Sequence, residues 1–218
     1  MRDSKLGHRD AAMPRWVRGL GAAIATMAVA SAGMAAPSDR PASAYRQAVA
    51  LNADLLSHDS ATATLQRWCA GRHMADPARI VAHRVSGEDR PADAEVRRRL
   101  HAAPGEAIRY RRVALACGEH VLSNADNWYR PGALTAQMNA ELDTTDHPFG
   151  AVVGPLGFRR RTLSAAILIA PSARRVPAAL IRHRAVLQTP NGRPFSLVVE
   201  TYTKAVLDEG SARQQVEP

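Results

Sequence analysis

The chain lacks the short motifs that mark the commoner chemistries. It has no C-x-x-C, H-x-H or H-E-x-x-H spacing, and its eight histidines are scattered, so neither a zinc site nor any other metal or cofactor is expected. There is no glycine-rich phosphate loop and no G-x-S-x-G elbow, which sets aside P-loop chemistry and the hydrolase nucleophile. Cysteine is almost absent, with only Cys69 and Cys117. In an oxidising compartment such a pair can bridge; two buried free thiols are the alternative. Acidic residues are outnumbered, 20 against 29 Lys and Arg, for a net charge of +9. Part of that excess belongs to the N-terminal leader, and the rest is dispersed arginine. A nucleic-acid partner is the obvious use for it, yet several arginines fall on strands that alternate with apolar residues, and no nucleic-acid motif accompanies them. An anionic small ligand plus a solvated basic surface explains the pattern more economically.

Long apolar runs are missing too. Arg2, Lys5, Arg9, Arg15 and Arg18 precede an alanine-rich run from Gly19 to about Ala32, which is shorter than the ~20 residues of a span. Small residues follow it, with cleavage sites at Ala30-Ser31-Ala32 or Gly33-Met34-Ala35. Residues 1–36 therefore read as an export signal, with Met13 an alternative start and the general secretory route favoured by the lack of an Arg-Arg pair. No later segment is long enough to span a bilayer, so the mature chain is expected to be a soluble, periplasmic protein; it is also expected to be a monomer. Residues 37–207 are expected to form one domain, and 208–218 a frayed tail.

Within that domain the period of the apolar residues sets the elements. Helices are expected over 42–56, with Tyr45, Val49 and Leu55 on the apolar side, and after a cap at Asp59 or Ser60 through Cys69. A charged helix is expected over 92–101 and another over 132–142, with Leu134, Met138 and Leu142 aligned. Strands are expected at 79–85, 161–170, 181–188 and 194–204, the last two joined by a turn at Asn191-Gly192. The chain is organised around 107–131, two strands about a turn at Cys117-Gly118-Glu119, with Asp126 to Tyr129 a closing turn and aromatic anchor. Strand follows strand in hairpins, so the class is α+β with an antiparallel sheet and flanking helices.

Two polar residues on these strands ask for an explanation. In the first strand of the hairpin Val113, Leu115 and Cys117 share a core face, while Tyr110, Arg112, Ala114 and Ala116 share the other. An arginine beside small side chains leaves room for something anionic. In the last strand Ser196, Val198, Glu200 and Tyr202 share a face, and a mid-strand carboxylate is unexpected unless that face lines a cavity or meets a cation. Arg112 and Glu200 are expected to face one pocket.

An arginine before an apolar strand ending in Cys-Gly, a second strand ending at Pro131, the step Pro148-Phe149-Gly150, and the late strand N-G-R-P-F-S-L-V-V-E resemble the chorismate pyruvate-lyase family. The resemblance covers Leu55 to Lys204. It implies a chorismate lyase-like fold, flap-like helical segments around 60–73 and 144–158, and a carbon–oxygen lyase that releases pyruvate from chorismate to leave 4-hydroxybenzoate, without a cofactor. It also implies that Arg112 binds a carboxylate, that Glu200 meets the ring hydroxyl, and that Phe149 and Ala61 stand at ligand-contact positions. Arg182 and Arg184 are candidates for a second carboxylate. The family's core cysteine is unpaired, so the resemblance leans towards free thiols at Cys69 and Cys117. Chorismate is made inside the cell, so an export signal favours the alternative: a non-catalytic binding protein for an aromatic carboxylate.

Overall fold

The structure, a computed structural model, describes residues 39–87 and 89–209; the expected export signal and the tail beyond 209 lie outside the described residues. The fold is α+β. Helices α1 (Asp39–Leu56) and α2 (Ala61–Gly71) lead to strand β1 (Ile80–Arg84) and the short α3 (Ala94–Arg99). The hairpin β2 (Arg109–Cys117) and β3 (His120–Tyr129) follows, then α4 (Ala136–Thr144) and the single turn α5 (Phe149–Val152). The meander β4 (Arg159–Ile167), β5 (Ala179–Gln188) and β6 (Pro194–Thr203) closes the chain. The six strands form one sheet in the order β1-β2-β3-β6-β5-β4, and every neighbouring pair is antiparallel.

Local chemistry sets the element ends. Ser60 caps α2 by accepting from the Ala63 amide, and Asp93 and Thr135 do the same for α3 and α4. Gly118 turns the β2–β3 hairpin at φ +55°, where a Cβ would meet that of Ala75 at 3.0 Å.

One face of the sheet is covered by α1 and α2. Val113, Leu115, Ala125, Ala185, Val198 and Tyr202 meet Ala44, Ala48, Leu51 and Leu55 of α1 and Leu65 of α2 in one core. The buried stripe of α1 is therefore Ala44, Ala48, Leu51 and Leu55, spaced by four, three and four as a helix requires. The expected stripe was rotated from this one: Leu55 belongs to both, but Val49 is 37% exposed. Small alanines let the helix lie close to the sheet. On the opposite face α3 packs Val96 and Leu100 on Val186 and Leu197.

Cys69 of α2 and Cys117 at the end of β2 are bonded in a disulfide, which corrects the leaning towards free thiols. The reason is tertiary. Packing α2 beside β1 and β2 brings the two Cα atoms to 6.1 Å, inside the separation a bridge needs.

Candidate functional site

A small cavity lies between the covered face of the sheet and the first turns of α2 and α5. Its floor is Arg111, Val113 and Leu115 of β2, Ala125 and Asn127 of β3, Val198 and Glu200 of β6, Leu187 of β5 and Arg160 of β4; Asp59 to Thr62, Phe149, Gly150 and Phe158 complete it. Its volume is about 50 Å³. That is several times the ~10–15 Å³ needed by one water, and far below the ~300–1,000 Å³ of sites for drug-sized ligands.

Register decides which side chains meet there. Arg111 lies opposite Asn127, and Asn127 opposite Val198; Val113 lies opposite Ala125, and Ala125 opposite Glu200. Residues paired across a ladder share a face, so Arg111 and Glu200 stand on one side of the sheet. Arg112 stands on the other, opposite Asp126, with Nε 3.8 Å from its carboxylate. The expectation that Arg112 and Glu200 face one pocket is thus corrected by one residue: the cavity's arginine is Arg111. Glu200, Phe149 and Ala61 do line the cavity. Arg182 and Arg184 do not. They lie opposite Thr201 and Val199 on the outer face, where Arg184 pairs with Glu95 of α3 at 2.9 Å. His183, between them, points inward, is 0% exposed and donates from Nε2 to Asn52 Oδ1 at 2.7 Å. Asn127, read from the sequence as part of a turn, is a β3 residue on the cavity wall whose Oδ1 accepts from Ser196.

Two arginines are buried here, and their circumstances differ. Arg160 donates from Nη2 to Glu200 Oε2 at 2.5 Å, and the two side chains are 4% and 6% exposed. Tyr202 donates its hydroxyl to the same oxygen at 3.1 Å. Burial pulls the Arg160 pKa down, but the Glu200 charge outweighs it and the net direction is up. Burial, and after it the Glu200 charge, pushes the Tyr202 phenol well up. Nothing local in Arg159-Arg160-Arg161 singles out the middle residue; the signal was Glu200 itself, a strand carboxylate in need of a cation.

Arg111 has no such partner. It is 3% exposed; Nη2 donates to the His147 carbonyl at 3.3 Å, while Nε and Nη1 are buried with no hydrogen-bond partner. The carboxylate nearby, Asp143, is engaged at two points by Arg109, at 3.0 and 2.5 Å. Burial first, and then the neighbouring Arg84 charge, lowers the Arg111 pKa, yet a guanidinium remains a cation at neutral pH. The Arg160–Glu200 charges cancel, and Asp59 at the rim is 43% exposed and met by Arg159 at 3.7 Å, so the buried part of the lining is left with the single positive charge of Arg111.

The roof is fitted closely. A Cβ on Gly150 would stand 2.8 Å from Thr62 Oγ1, so glycine is what lets α5 rest on the first turn of α2. Phe149, next to it, is backed by Tyr129 at 5.2 Å and Phe195 at 6.4 Å between ring centroids. Among the described residues no three His, Cys, Asp or Glu side chains are grouped to hold a metal, and no helix is long and apolar enough to cross a membrane.

No family model matches the chain. Solved structures to which it is similar include the effector domain of PhnF from Mycobacterium smegmatis, at 14% identity and a TM-score of 0.45 over 66% of this chain and 88% of that one. A GntR-family transcriptional regulator from Enterococcus faecalis matches at 16% identity and a TM-score of 0.40, over 56% of this chain and 92% of that one. Among curated sequences, the uncharacterized protein y4mC of Sinorhizobium fredii is 47% identical over 175 residues, which cover 72% of this chain and 74% of that protein. The chain belongs to the same family as y4mC.

Proposed function

We propose that the protein binds a small aromatic carboxylate in this cavity, the carboxylate on Arg111 and the ring against Phe149. The observation that carries the reading is the state of Arg111: a cation 3% exposed, with two guanidinium nitrogens unpartnered. Taking an ion out of water costs several kcal/mol unless a counter-charge and hydrogen bonds offset it, and an incoming carboxylate supplies both through charge-assisted bonds. Those nitrogens are closed off from solvent, so a ligand reaches them through a local opening beside Arg111. The disulfide suits an oxidising compartment and supports the proposal of export to the periplasm.

A second reading is chorismate pyruvate-lyase activity, and Glu200 favours it by lining the same cavity as Arg111. In that reaction the C4 proton leaves as the C3–O bond breaks, giving pyruvate and an aromatic 4-hydroxybenzoate. The protein's part is to hold the carboxylates, orient the ring and exclude water, with Arg111 in the role the sequence assigned to Arg112.

One experiment separates the readings. The full chain is incubated with chorismate and pyruvate is followed, and the melting temperature is measured with 4-hydroxybenzoate. Binding alone predicts a raised melting temperature with no pyruvate above the uncatalysed rate; equimolar pyruvate and 4-hydroxybenzoate establish the lyase. No thermal shift with 4-hydroxybenzoate in the wild type, together with no turnover, overturns both.

A further inference from the structure

The cavity's charge and its one rigid wall together limit what it can hold. Its buried charges are Arg111, Arg160 and Glu200. Arg160 and Glu200 neutralise each other at 2.5 Å, so a ligand with one negative charge brings the enclosed site to neutrality, whereas one with two leaves a net negative charge sealed from water. Size is limited from the roof. The first turn of α5 cannot retreat towards α2, because Gly150 already rests on Thr62. The Phe149 ring cannot fold back easily, because Tyr129 and Phe195 stand behind it. Its ring therefore acts as a fixed wall of a cavity of about 50 Å³.

We infer that the site selects acids with a single ring and a single negative charge, and that Phe149 is the residue that sets the size limit. This rests on the carboxylate-binding reading and deepens it. The charge limit and the size limit are separable, since one depends on Arg111, Arg160 and Glu200 and the other on Phe149.

The test uses three probes on the full chain by calorimetry: 4-hydroxybenzoate (one ring, one charge), 2-naphthoate (two rings, one charge) and terephthalate (one ring, two charges). The wild type should bind 4-hydroxybenzoate at least about tenfold more tightly than either other acid, the scale on which a tight pocket discriminates by shape. Phe149→Ala should gain about tenfold for 2-naphthoate while terephthalate stays excluded. If that variant does not fold, Phe149→Leu is read in the same way, with a smaller gain. Equal binding of 2-naphthoate and 4-hydroxybenzoate by the wild type overturns the size limit, and so does an unchanged 2-naphthoate affinity in the variant. Tight terephthalate binding by the wild type overturns the charge limit. Failure of all three acids to bind the wild type overturns the underlying reading instead, which keeps the two failures distinct.

Discussion

Replacing Arg111 with Met should leave the free protein as stable or more stable and weaken its binding of the acid. The guanidinium is enclosed, lacks a counter-charge and makes one long hydrogen bond to the His147 carbonyl. Exchanging buried charge for apolar side chains of similar volume is often neutral or stabilising by about 1–4 kcal/mol, and Met has the length and flexibility to fill the same space. Stranding the His147 carbonyl gives back about 1 kcal/mol. The expected net gain is about 0–3 kcal/mol, at roughly 2–4 °C in melting temperature for each kcal/mol in a domain of this size. Binding moves the other way, since a hydrogen bond to a charged group contributes about 1.5–3 kcal/mol, or about 10- to 150-fold in affinity. The assay is thermal melting followed by circular dichroism, with and without 4-hydroxybenzoate. A ligand at about 100 times the wild-type Kd stabilises the wild type by about 2.7 kcal/mol and should stabilise the variant by only about 0.3–1.4 kcal/mol. A variant that melts several degrees below the wild type would show Arg111 to be a structural prop and refute the reasoning.

Three further outcomes follow from the geometry. Glu200→Gln leaves Arg160 buried without its counter-charge and should cost about 3–5 kcal/mol in urea denaturation, whereas Arg160→Met with Glu200→Leu should recover most of that loss; equal losses in single and double variants would contradict the pairing. Burial holds the His183 pKa below its ordinary 6.5, so the folded state takes up a proton less readily than the unfolded chain. Its contribution is complete above pH 6.5 and is lost as pH falls towards the folded value, and His183→Gln should flatten that fall in denaturant titrations at pH values of about 7 and 5. Removing the bridge with Cys69→Ala and Cys117→Ala frees a loop of 48 residues' separation and should cost about 4 kcal/mol on the chain-entropy estimate; a melting temperature indifferent to both reductant and the double substitution would argue that no bridge forms.

What the sequence by itself determined is the local order. The capping side chain Ser60, the turns at Gly118 and Gly192, and the alternation of Val113, Leu115 and Cys117 on one face were all legible, because each depends on residues within a turn or a strand. Glu200 was legible as an anomaly, since a mid-strand carboxylate demands a cation or a cavity, and it has both. Alternation says which residues of a strand share a face. It does not say which face the helices cover, and here they cover the apolar one, so the cavity's arginine is Arg111 and Arg112 looks outward. That choice belongs to the tertiary structure, since a step of one residue reverses every side chain. The same holds for the partners brought from far along the chain. Arg160 finds Glu200 across 40 residues through the β4–β5–β6 register, and Cys69 finds Cys117 only because α2 packs beside β2. No pattern within either segment encodes these meetings; they are set by how the helices and strands settle against one another.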